Sequence, residues 1–180
     1  VNQREVGVHT DSFGRALKAA LREDPDIILV GEMRDTETVA LALETANTGH
    51  LVFGTLHTSN AVGTIDRIVD LFPAGQQGQI RSGLADSLRA VVSQTLCRKK
   101  GGGRVAAIEL LVGSHAVANL IREGKTHQIA NIMTTSRADG NQLLNNELKR
   151  LVDANQVTKE EALAKAVDKK ELAKLLGVKF

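Results

Sequence analysis

Two short apolar runs, joined by a stretch of helical composition, constrain the fold of this chain more than any other feature. The first extends from Ile27 to Val30 and the second from Leu51 to Leu56, and each ends abruptly in polar residues. Apolar runs of about 4–8 residues bounded by turn residues are typical of buried strands in a parallel sheet. A strand, a helix and a second strand in about 30 residues form a right-handed βαβ unit. The sequence therefore predicts an α/β fold in which both strands are fully buried.

Chemically capable side chains follow both predicted strands. Glu32, Arg34 and Asp35 come after the first strand, and His57 and Thr58 come after the second. Ligands of open α/β sheets bind at the carboxyl ends of the strands. We therefore expect these five residues to gather on one edge of one sheet, where they would form a nucleotide site.

The two carboxylates after the first strand have different expected roles. In P-loop ATPases an acidic residue at the end of such a strand helps to hold Mg²⁺ or orients the attacking water, and Glu32 fits that role. A carboxylate at such a turn can instead cap the following helix, and Asp35 fits this alternative. The capped helix is predicted to extend to about Asn47, where Thr48-Gly49 closes it.

Two histidines bound the second predicted strand. Because His50 opens the strand and His57 ends it, we do not expect them to form a metal pair. Zinc needs three or four ligands, and the sequence offers no third. An imidazole can donate to a phosphate oxygen, so His57 is predicted to sense a γ-phosphate. The alternative for His57 is a structural hydrogen bond at the strand end.

Composition excludes several classes of function. The formal net charge is +2, from 23 basic and 21 acidic residues, which argues against a dedicated nucleic-acid binder. Aromatic residues make up only 2%, so base-stacking platforms are not expected. The single cysteine, Cys97, excludes an internal disulfide and a multi-cysteine zinc site, and we expect a buried thiol. No window reaches the ~18 apolar residues of a membrane span, and the first residues do not resemble a signal peptide. These features predict a cytoplasmic protein, and the absence of an initiator Met suggests a fragment of a longer one.

The remaining chain reads as helices and one hairpin. A strand at Arg104–Val112 can pair with Thr95–Lys99 across the turn Gly101-Gly102-Gly103. After Gly113 the pattern is helical to the end, so we predict an α/β core over residues 1–113 and a helical subdomain over 114–180. Helices are also predicted from Asp11 or Ser12 to Glu23, from Ala61 to Leu71 and from Gln77 to Gln94.

Gly124-Lys125-Thr126 imitates the end of a phosphate-binding loop. The first glycine of that motif would fall at position 119, which is Asn119. A true loop of this kind follows a strand and opens a helix, whereas Ala116 to Arg122 reads as a helix. We therefore reject it as a phosphate cradle, and the chain has sensor-like residues without a phosphate-binding loop.

The motifs together resemble the C-terminal half of a type II/type IV pilus secretion ATPase. Asp26–Asp35 is similar to the Walker B box of that family, and Thr48–Asn60 is similar to its histidine box. The sequence Asn119-Leu120-Ile121-Arg122-Glu123 resembles the helix motif of the pilus-retraction branch, with Val117-Ala118 in place of its Ile-Arg pair. The lone Cys97 also favours that branch, because assembly and type II secretion ATPases commonly carry a tetracysteine zinc insertion in this half. Further matches are Gln3–Gly7, Phe13–Asp26 and Gly101–Glu109.

The resemblance implies a partial RecA-like P-loop ATPase core with a mostly parallel sheet, followed by a helical subdomain. It implies that Glu32 works with Mg²⁺ and water, directly or through a bound water. It also implies that His57 contacts the γ-phosphate or couples it to domain movement, with support from His50. Arg34, Asp35 and Thr58 would lie near nucleotide and Mg²⁺, and residues 119–123 would couple the motor.

The same resemblance implies ATP and Mg²⁺ as cofactors and a homo-hexamer that hydrolyses ATP to ADP and phosphate. The expected partner is an inner-membrane pilus platform protein, and the expected place is the cytoplasm, peripheral at the inner membrane. The expected work is type IV pilus retraction and twitching motility. The alternatives are a pilus-assembly or type II secretion ATPase, and a non-catalytic truncated interaction module. Because the family's Walker A loop would precede Val1, we expect the isolated chain to be inactive.

Overall fold

A computed structural model describes residues 1–179 of the chain. Two regions are compact, the first formed by residues 1–57 and 67–87 and the second by 58–66 together with the chain from 88 onward. The strands are β1 (Ile27–Val30), β2 (Leu51–Gly54), β3 (Ala90–Arg98) and β4 (Arg104–Val112). The α-helices are α1 (Phe13–Ala20), α2 (Thr36–Asn47), α3 (Ala61–Asp70), α4 (Ala74–Ser87), α5 (His115–Arg122), α6 (Ile129–Thr135), α7 (Leu144–Asp153), α8 (Lys159–Lys165) and α9 (Lys169–Leu176).

The first region contains the predicted βαβ unit. Strands β1 and β2 pair in parallel, with Ile27 opposite Leu51 and Val30 opposite Gly54, and α2 is the crossover helix. The Ser12 side chain caps α1 by accepting from the Arg15 amide, and Ser12 is one of the two caps, Asp11 or Ser12, that the sequence left open. The prediction of an α/β fold with a parallel pair of strands is confirmed.

The prediction that both strands are fully buried is wrong in the structure. Burial alternates along β1, where Ile28 and Val30 are buried but Leu29 is exposed. In β2 the side chains of Leu51 and Phe53 are exposed as well. A two-stranded sheet that is covered on one face leaves the alternate side chains on the other face in solvent. The covered face packs a small core of Leu17, Ile28 and Val30 with Leu21, Met33, Leu41 and Val52.

The second region is built on an antiparallel hairpin. Strands β3 and β4 pair from Ala90 opposite Val112 to Arg98 opposite Arg104. The predicted hairpin is therefore confirmed, and it is longer than predicted. The predicted helix from Gln77 to Gln94 is wrong in its last part, because α4 ends at Ser87 and β3 begins at Ala90.

Helices α7, α8 and α9 pack on the hairpin and form a hydrophobic core with it. Its buried members are Cys97, Ala107, Leu144, Leu148, Leu151, Val157, Ala162, Ala166 and Leu172. The hairpin thus belongs with the C-terminal helices by packing, and the division at Gly113 stays a prediction about the intact ATPase. Within residues 1–179 no helix has the length and apolarity needed to cross a membrane.

Candidate functional site

Hydrogen bonds join the two chain segments that leave the carboxyl ends of β1 and β2. The Met33 amide donates to the Thr55 carbonyl oxygen at 3.0 Å, and the Thr55 hydroxyl donates to the Gly31 carbonyl oxygen. The parallel pairing of the strands therefore continues past the last paired residues. Since Glu32 lies between Gly31 and Met33, these bonds fix its backbone beside the segment that leads to His57.

Gly54 leaves room for the side chain that closes this end of the sheet. A Cβ atom at Gly54 would lie 2.5 Å from Cε and 2.6 Å from Sδ of Met33. The thioether chain of Met33 therefore passes directly over Gly54. This contact, together with the backbone bond of Met33, holds the loop that carries Glu32 and Arg34.

Three of the predicted site residues meet at one carboxylate oxygen. Nε2 of His57 lies 2.9 Å from Oε1 of Glu32, and Nε of Arg34 donates to the same oxygen. The Glu32 side chain is 23% exposed, whereas those of Arg34 and His57 are 74% and 84% exposed. The site is thus a largely covered carboxylate in contact with two solvent-exposed nitrogen-bearing side chains.

The surroundings of Glu32 keep it ionised. The hydrogen bond from Arg34 lowers the pKa of the Glu32 carboxyl below its ordinary value, and the charges of Arg34 and His57 add to this effect. Partial desolvation opposes it but does not reverse it. At neutral pH this side chain is therefore a carboxylate that can accept a proton or a hydrogen bond from water.

Asp35 lies close in sequence but its carboxylate serves the helix. Its Oδ1 accepts from the Thr38 amide at 2.8 Å, and its Oδ2 accepts from the Thr38 hydroxyl at 2.8 Å. These bonds, the amide bond first, lower the pKa of Asp35. Asp35 is thus the N-cap of α2, which is the alternative that the sequence left open for it.

His50 and His57 lie at opposite ends of β2, as the sequence indicated. Nδ1 of His50 is 3.1 Å from the Thr45 carbonyl oxygen and 3.3 Å from the Thr48 hydroxyl. These contacts tie His50 to the C-terminal end of α2. Its observed neighbours therefore place it in the connection between α2 and β2.

Thr58 belongs to the second region, at the approach to α3. Its hydroxyl is 2.7 Å from the Thr64 hydroxyl, which also donates to the Asn60 carbonyl oxygen at 2.8 Å. The Asn60 Oδ1 atom accepts from the Gly63 amide at 2.6 Å and caps the helix. Thr58 is therefore part of a hydrogen-bonded turn that begins α3.

The helix motif lies on α5 and the turn after it. Ile121 is buried, Leu120 is half-buried, and Asn119, Arg122 and Glu123 are exposed. Asn119 accepts a hydrogen bond from Arg122 at 3.1 Å, and Glu123 pairs with Lys125 at 2.8 Å. The predicted helix before Gly124 is confirmed, so Gly124-Lys125-Thr126 does not follow a strand as a phosphate-binding loop would.

Sequence reasoning missed the buried carboxylate of Glu109 on β4. It is 7% exposed, and it accepts hydrogen bonds from the amides of Ala61 and Leu144. The signal was present in the strand, where Glu109 interrupts an apolar run on the same face as Ala107 and Leu111. A charged residue at an inward position of a strand demands partners.

The described residues contain no preformed cage for a metal. Among residues 1–179, no group of three or more His, Cys, Asp and Glu side chains is placed to hold an ion. The site at Glu32 thus offers one carboxylate, which suits an ion that brings most of its own ligands.

Comparison with known proteins relates this geometry to a family. The family described as "Type II/IV secretion system protein" matches residues 2–168. The chain is 56% identical over 166 residues to the type IV pilus retraction ATPase PilT of Pseudomonas aeruginosa, covering 92% of this chain and 48% of PilT. It is 52% identical over 174 residues to the twitching motility protein of Neisseria gonorrhoeae, covering 96% of this chain and 46% of that protein.

A solved structure shows the same fold. The crystal structure of the pilus retraction motor PilT with bound ADP superposes with a TM-score of 0.89 at 53% identity, covering 97% of this chain and 49% of that one. The chain therefore spans about half the length of the relatives it matches. A family match over residues 2–168 and the identities to its relatives lead to one conclusion: this chain belongs to the type II/IV secretion system protein family.

Proposed function

We propose that this chain is part of a hexameric motor ATPase that couples ATP hydrolysis to type IV pilus retraction and twitching motility. The carboxylate of Glu32, joined to His57 and Arg34 at the ends of two parallel strands, is the observation that carries the proposal. Relatives named for pilus retraction and for twitching motility support the proposal that this is the process the motor drives. Residues 1–113 would form part of the ATPase core, and 114–180 would form the helical subdomain.

In this proposal Glu32 positions and activates the attacking water. Arg34 and His57 lower the pKa of Glu32, so the side chain is ionised at neutral pH, as a general base must be, although the lower pKa makes it a weaker base. Both Arg34 and His57 contact Oε1, so in this proposal Oε2 is the oxygen that accepts from the attacking water. His57 is a catalytic residue here, because its exposed Nε2 can exchange Glu32 for a phosphate oxygen.

Mg²⁺ and ATP fit the chemistry of the residues present. Mg²⁺ in phosphoryl-transfer sites keeps several waters and binds through one or two carboxylates and the substrate phosphates. A single acidic side chain such as Glu32 is enough on the protein side, either directly or through water. When bound, the ion would neutralise charge on the phosphates, and Arg34 would add positive charge beside Glu32.

The other predicted site residues would act around this centre. Asp35 would fix the turn after Glu32 by capping α2, and His50 would fix the start of β2. Thr58 would order the segment that follows His57 through its bond with Thr64. Residues 119–123 would link the hydrolysis cycle to movement of the motor.

The proposed partners follow from the same family. The intact protein would assemble with copies of itself as a hexamer, in the cytoplasm and at the inner-membrane pilus platform protein. The isolated 180 residues would bind ATP weakly, because they contain no strand followed by a glycine-rich phosphate loop. Submicromolar ATP binding by this chain in calorimetry would contradict that part of the proposal.

The test is ATP hydrolysis by a full-length protein that joins this chain to an N-terminal half like that of its relatives. We expect Glu32→Gln to lower kcat by about 100-fold or more while ATP still binds, since general-base contributions are typically of this size. Glu37→Gln is the matched control, because Glu37 forms an exposed ion pair with Lys18. An unchanged kcat in Glu32→Gln, or an inactive parent, would refute the proposed function.

The direction of force is tested in cells. Loss of the gene that encodes the full-length protein should leave excess unretracted pili. An absence of pili would instead identify an assembly ATPase, and wild-type numbers with co-purification of a complete paralogue would identify a non-catalytic module.

A further inference from the structure

Glu109 is a buried carboxylate whose two oxygens serve two different helices. Its Oε1 accepts from the Ala61 amide at 2.7 Å, and its Oε2 accepts from the Leu144 amide at 3.2 Å. Ala61 is the first residue of α3, and Leu144 is the first residue of α7. One side chain on β4 therefore joins the starts of two helices that are far apart in sequence.

The arrangement satisfies a charge that would otherwise be costly to bury. The first amides of a helix have no partner within the helix, and its N-terminal end carries partial positive charge. Glu109 meets two such ends, each belonging to a helix of 10 residues. Removing one partner from a buried, hydrogen-bonded carboxylate leaves polar atoms unsatisfied, so the two contacts depend on each other.

The first oxygen anchors the segment that follows His57. Thr58, Asn60, Gly63 and Thr64 form a closed set of hydrogen bonds at the start of α3. Among the hydrogen bonds of residues 58–66, the one that reaches a side chain of β4 is the bond from the Ala61 amide to Glu109. Glu109 is thus the side chain that hydrogen-bonds this short segment to β4, in addition to the burial of Ala61 and Ile65.

The second oxygen anchors the C-terminal helices. Leu144, Leu148 and Leu151 on α7 are buried in the core that also contains Ala107 of β4. The start of α7 is therefore held twice, by apolar packing and by Glu109. A shift of the Thr58–Thr64 segment that moves Glu109 would be resisted by that packed helix or transmitted to it.

We propose that Glu109 is a positioning residue that couples the end of the histidine box, residues 57–60, to the C-terminal helical subdomain. It contacts no nucleotide in this assignment and acts through the Ala61 amide on the segment that follows His57. The inference rests on the proposed function, in which His57 exchanges its contact with Glu32 during the ATPase cycle. Glu109 would link this change of contact at His57 to the position of α7.

The first experiment measures amide hydrogen exchange by NMR on the 180-residue chain. Glu109→Gln keeps the shape of the side chain but replaces one acceptor oxygen with a donor group, so it cannot accept from both amides. We expect at least one of the amides of Ala61 and Leu144 to exchange at least about tenfold faster than in the unmodified chain, which corresponds to about 1.4 kcal/mol. Unchanged exchange at both amides would overturn the assignment.

Glu147→Gln is the matched control for burial and location. Glu147 is also 7% exposed and lies in the first turn of α7, but its carboxylate accepts from Arg150, whereas the amides of Ala61 and Leu144 donate to Glu109. We expect this variant to leave exchange at Ala61 unchanged. If Glu109→Gln does not fold, Glu109→Asp keeps the charge and is too short to reach both amides, so it replaces Glu109→Gln in the same measurement.

The second experiment uses the full-length ATPase and separates positioning from stability. Below the unfolding temperature of every variant, Glu109→Gln should lower kcat about tenfold and change KM for ATP less than twofold, while Glu147→Gln changes neither. Equal kcat values for both variants would mean that Glu109 is only structural. An inactive parent with accelerated exchange at Ala61 would refute the proposed ATPase and leave the junction at Glu109 standing.

Discussion

His57 and Glu32 come from different strands, and Nε2 of the first lies 2.9 Å from Oε1 of the second. The contact exists because the backbone bonds between Met33 and Thr55 carry the parallel register past the ends of β1 and β2. The two side chains differ in solvent exposure, since that of Glu32 is 23% exposed and that of His57 is 84% exposed. A largely covered carboxylate thus meets an imidazole that is mostly exposed to solvent.

The pKa of Glu32 depends most on Arg34. Arg34→Gln should raise the pKa of the Glu32 carboxyl toward its ordinary value, because the largest cause that lowers it is the hydrogen bond from Arg34. A ¹³C NMR titration of the side-chain carboxyl of Glu32 measures this directly. The control is Arg15→Gln, since Arg15 pairs with Asp11 on the surface of α1.

The same shift sets a sign for stability against pH. Glu32 has a lower pKa in the folded chain than in the unfolded chain, so its contribution is fully present above the unfolded pKa. That contribution is lost as pH falls through the lower, folded value. In Arg34→Gln the contribution should shrink at neutral pH, and a Glu32 pKa that stays where it was would contradict the account.

Local signals made the βαβ unit predictable from sequence. Asp35 and Thr48-Gly49 mark the ends of α2 through side-chain and backbone hydrogen bonds that depend on residues close in sequence. The proximity of Glu32 and His57 was also predictable, because the carboxyl ends of two parallel strands meet on one edge of the sheet. Helix caps and the connection rules for parallel strands were sufficient to predict the structure at these two places.

Non-local pairing decided the parts that the sequence predicted wrongly. Leu84, Leu88 and Val91 have helical spacing, yet the chain leaves the helix after Ser87 because Val91 pairs opposite Leu111 in the hairpin. Partners that lie far along the chain override the local period. Which face of β1 and β2 is buried also depends on partners far along the chain. The same is true of the bonds between Glu109 and the starts of two helices.

Asp35 should stabilise the first region as a helix cap. Asp35→Ala removes both acceptors of Thr38 and should reduce the free energy of unfolding by about 1 kcal/mol. Asp35→Asn retains one acceptor and should be nearly as stable as the unmodified chain. Urea denaturation followed by circular dichroism measures both, and equal losses in the two variants would show that the charge rather than the cap is responsible.

Cys97 should be chemically silent in the folded chain. It is fully buried in the core that the hairpin forms with α7, α8 and α9, and burial raises the pKa of its thiol, with Glu161 adding to the effect. The thiolate is the reactive form, so both factors slow reaction with a disulfide reagent. We expect labelling by Ellman's reagent to be complete within seconds in denaturant and to be slower by orders of magnitude in buffer; rapid labelling of the folded chain would refute this burial.

Two glycines should respond to alanine in opposite directions. At Gly113 a Cβ atom would lie 2.4 Å from the Leu88 carbonyl oxygen, and the Gly113 amide donates to the Arg89 carbonyl oxygen at 2.7 Å. Because these backbone atoms cannot move away cheaply, Gly113→Ala should reduce the free energy of unfolding by about 1–3 kcal/mol. Gly78 lies within α4, and a Cβ there meets nothing within 4 Å.

Gly78→Ala should therefore increase the free energy of unfolding by about 0.5–1 kcal/mol, because alanine loses less backbone entropy than glycine in a helix. Both variants change one hydrogen to a methyl group, so the difference between them isolates the surroundings. Thermal and urea unfolding of the two variants beside the unmodified chain measures it. If Gly113→Ala proved as stable as Gly78→Ala, the close approach of the chain at Gly113 to the segment between α4 and β3 would be wrong.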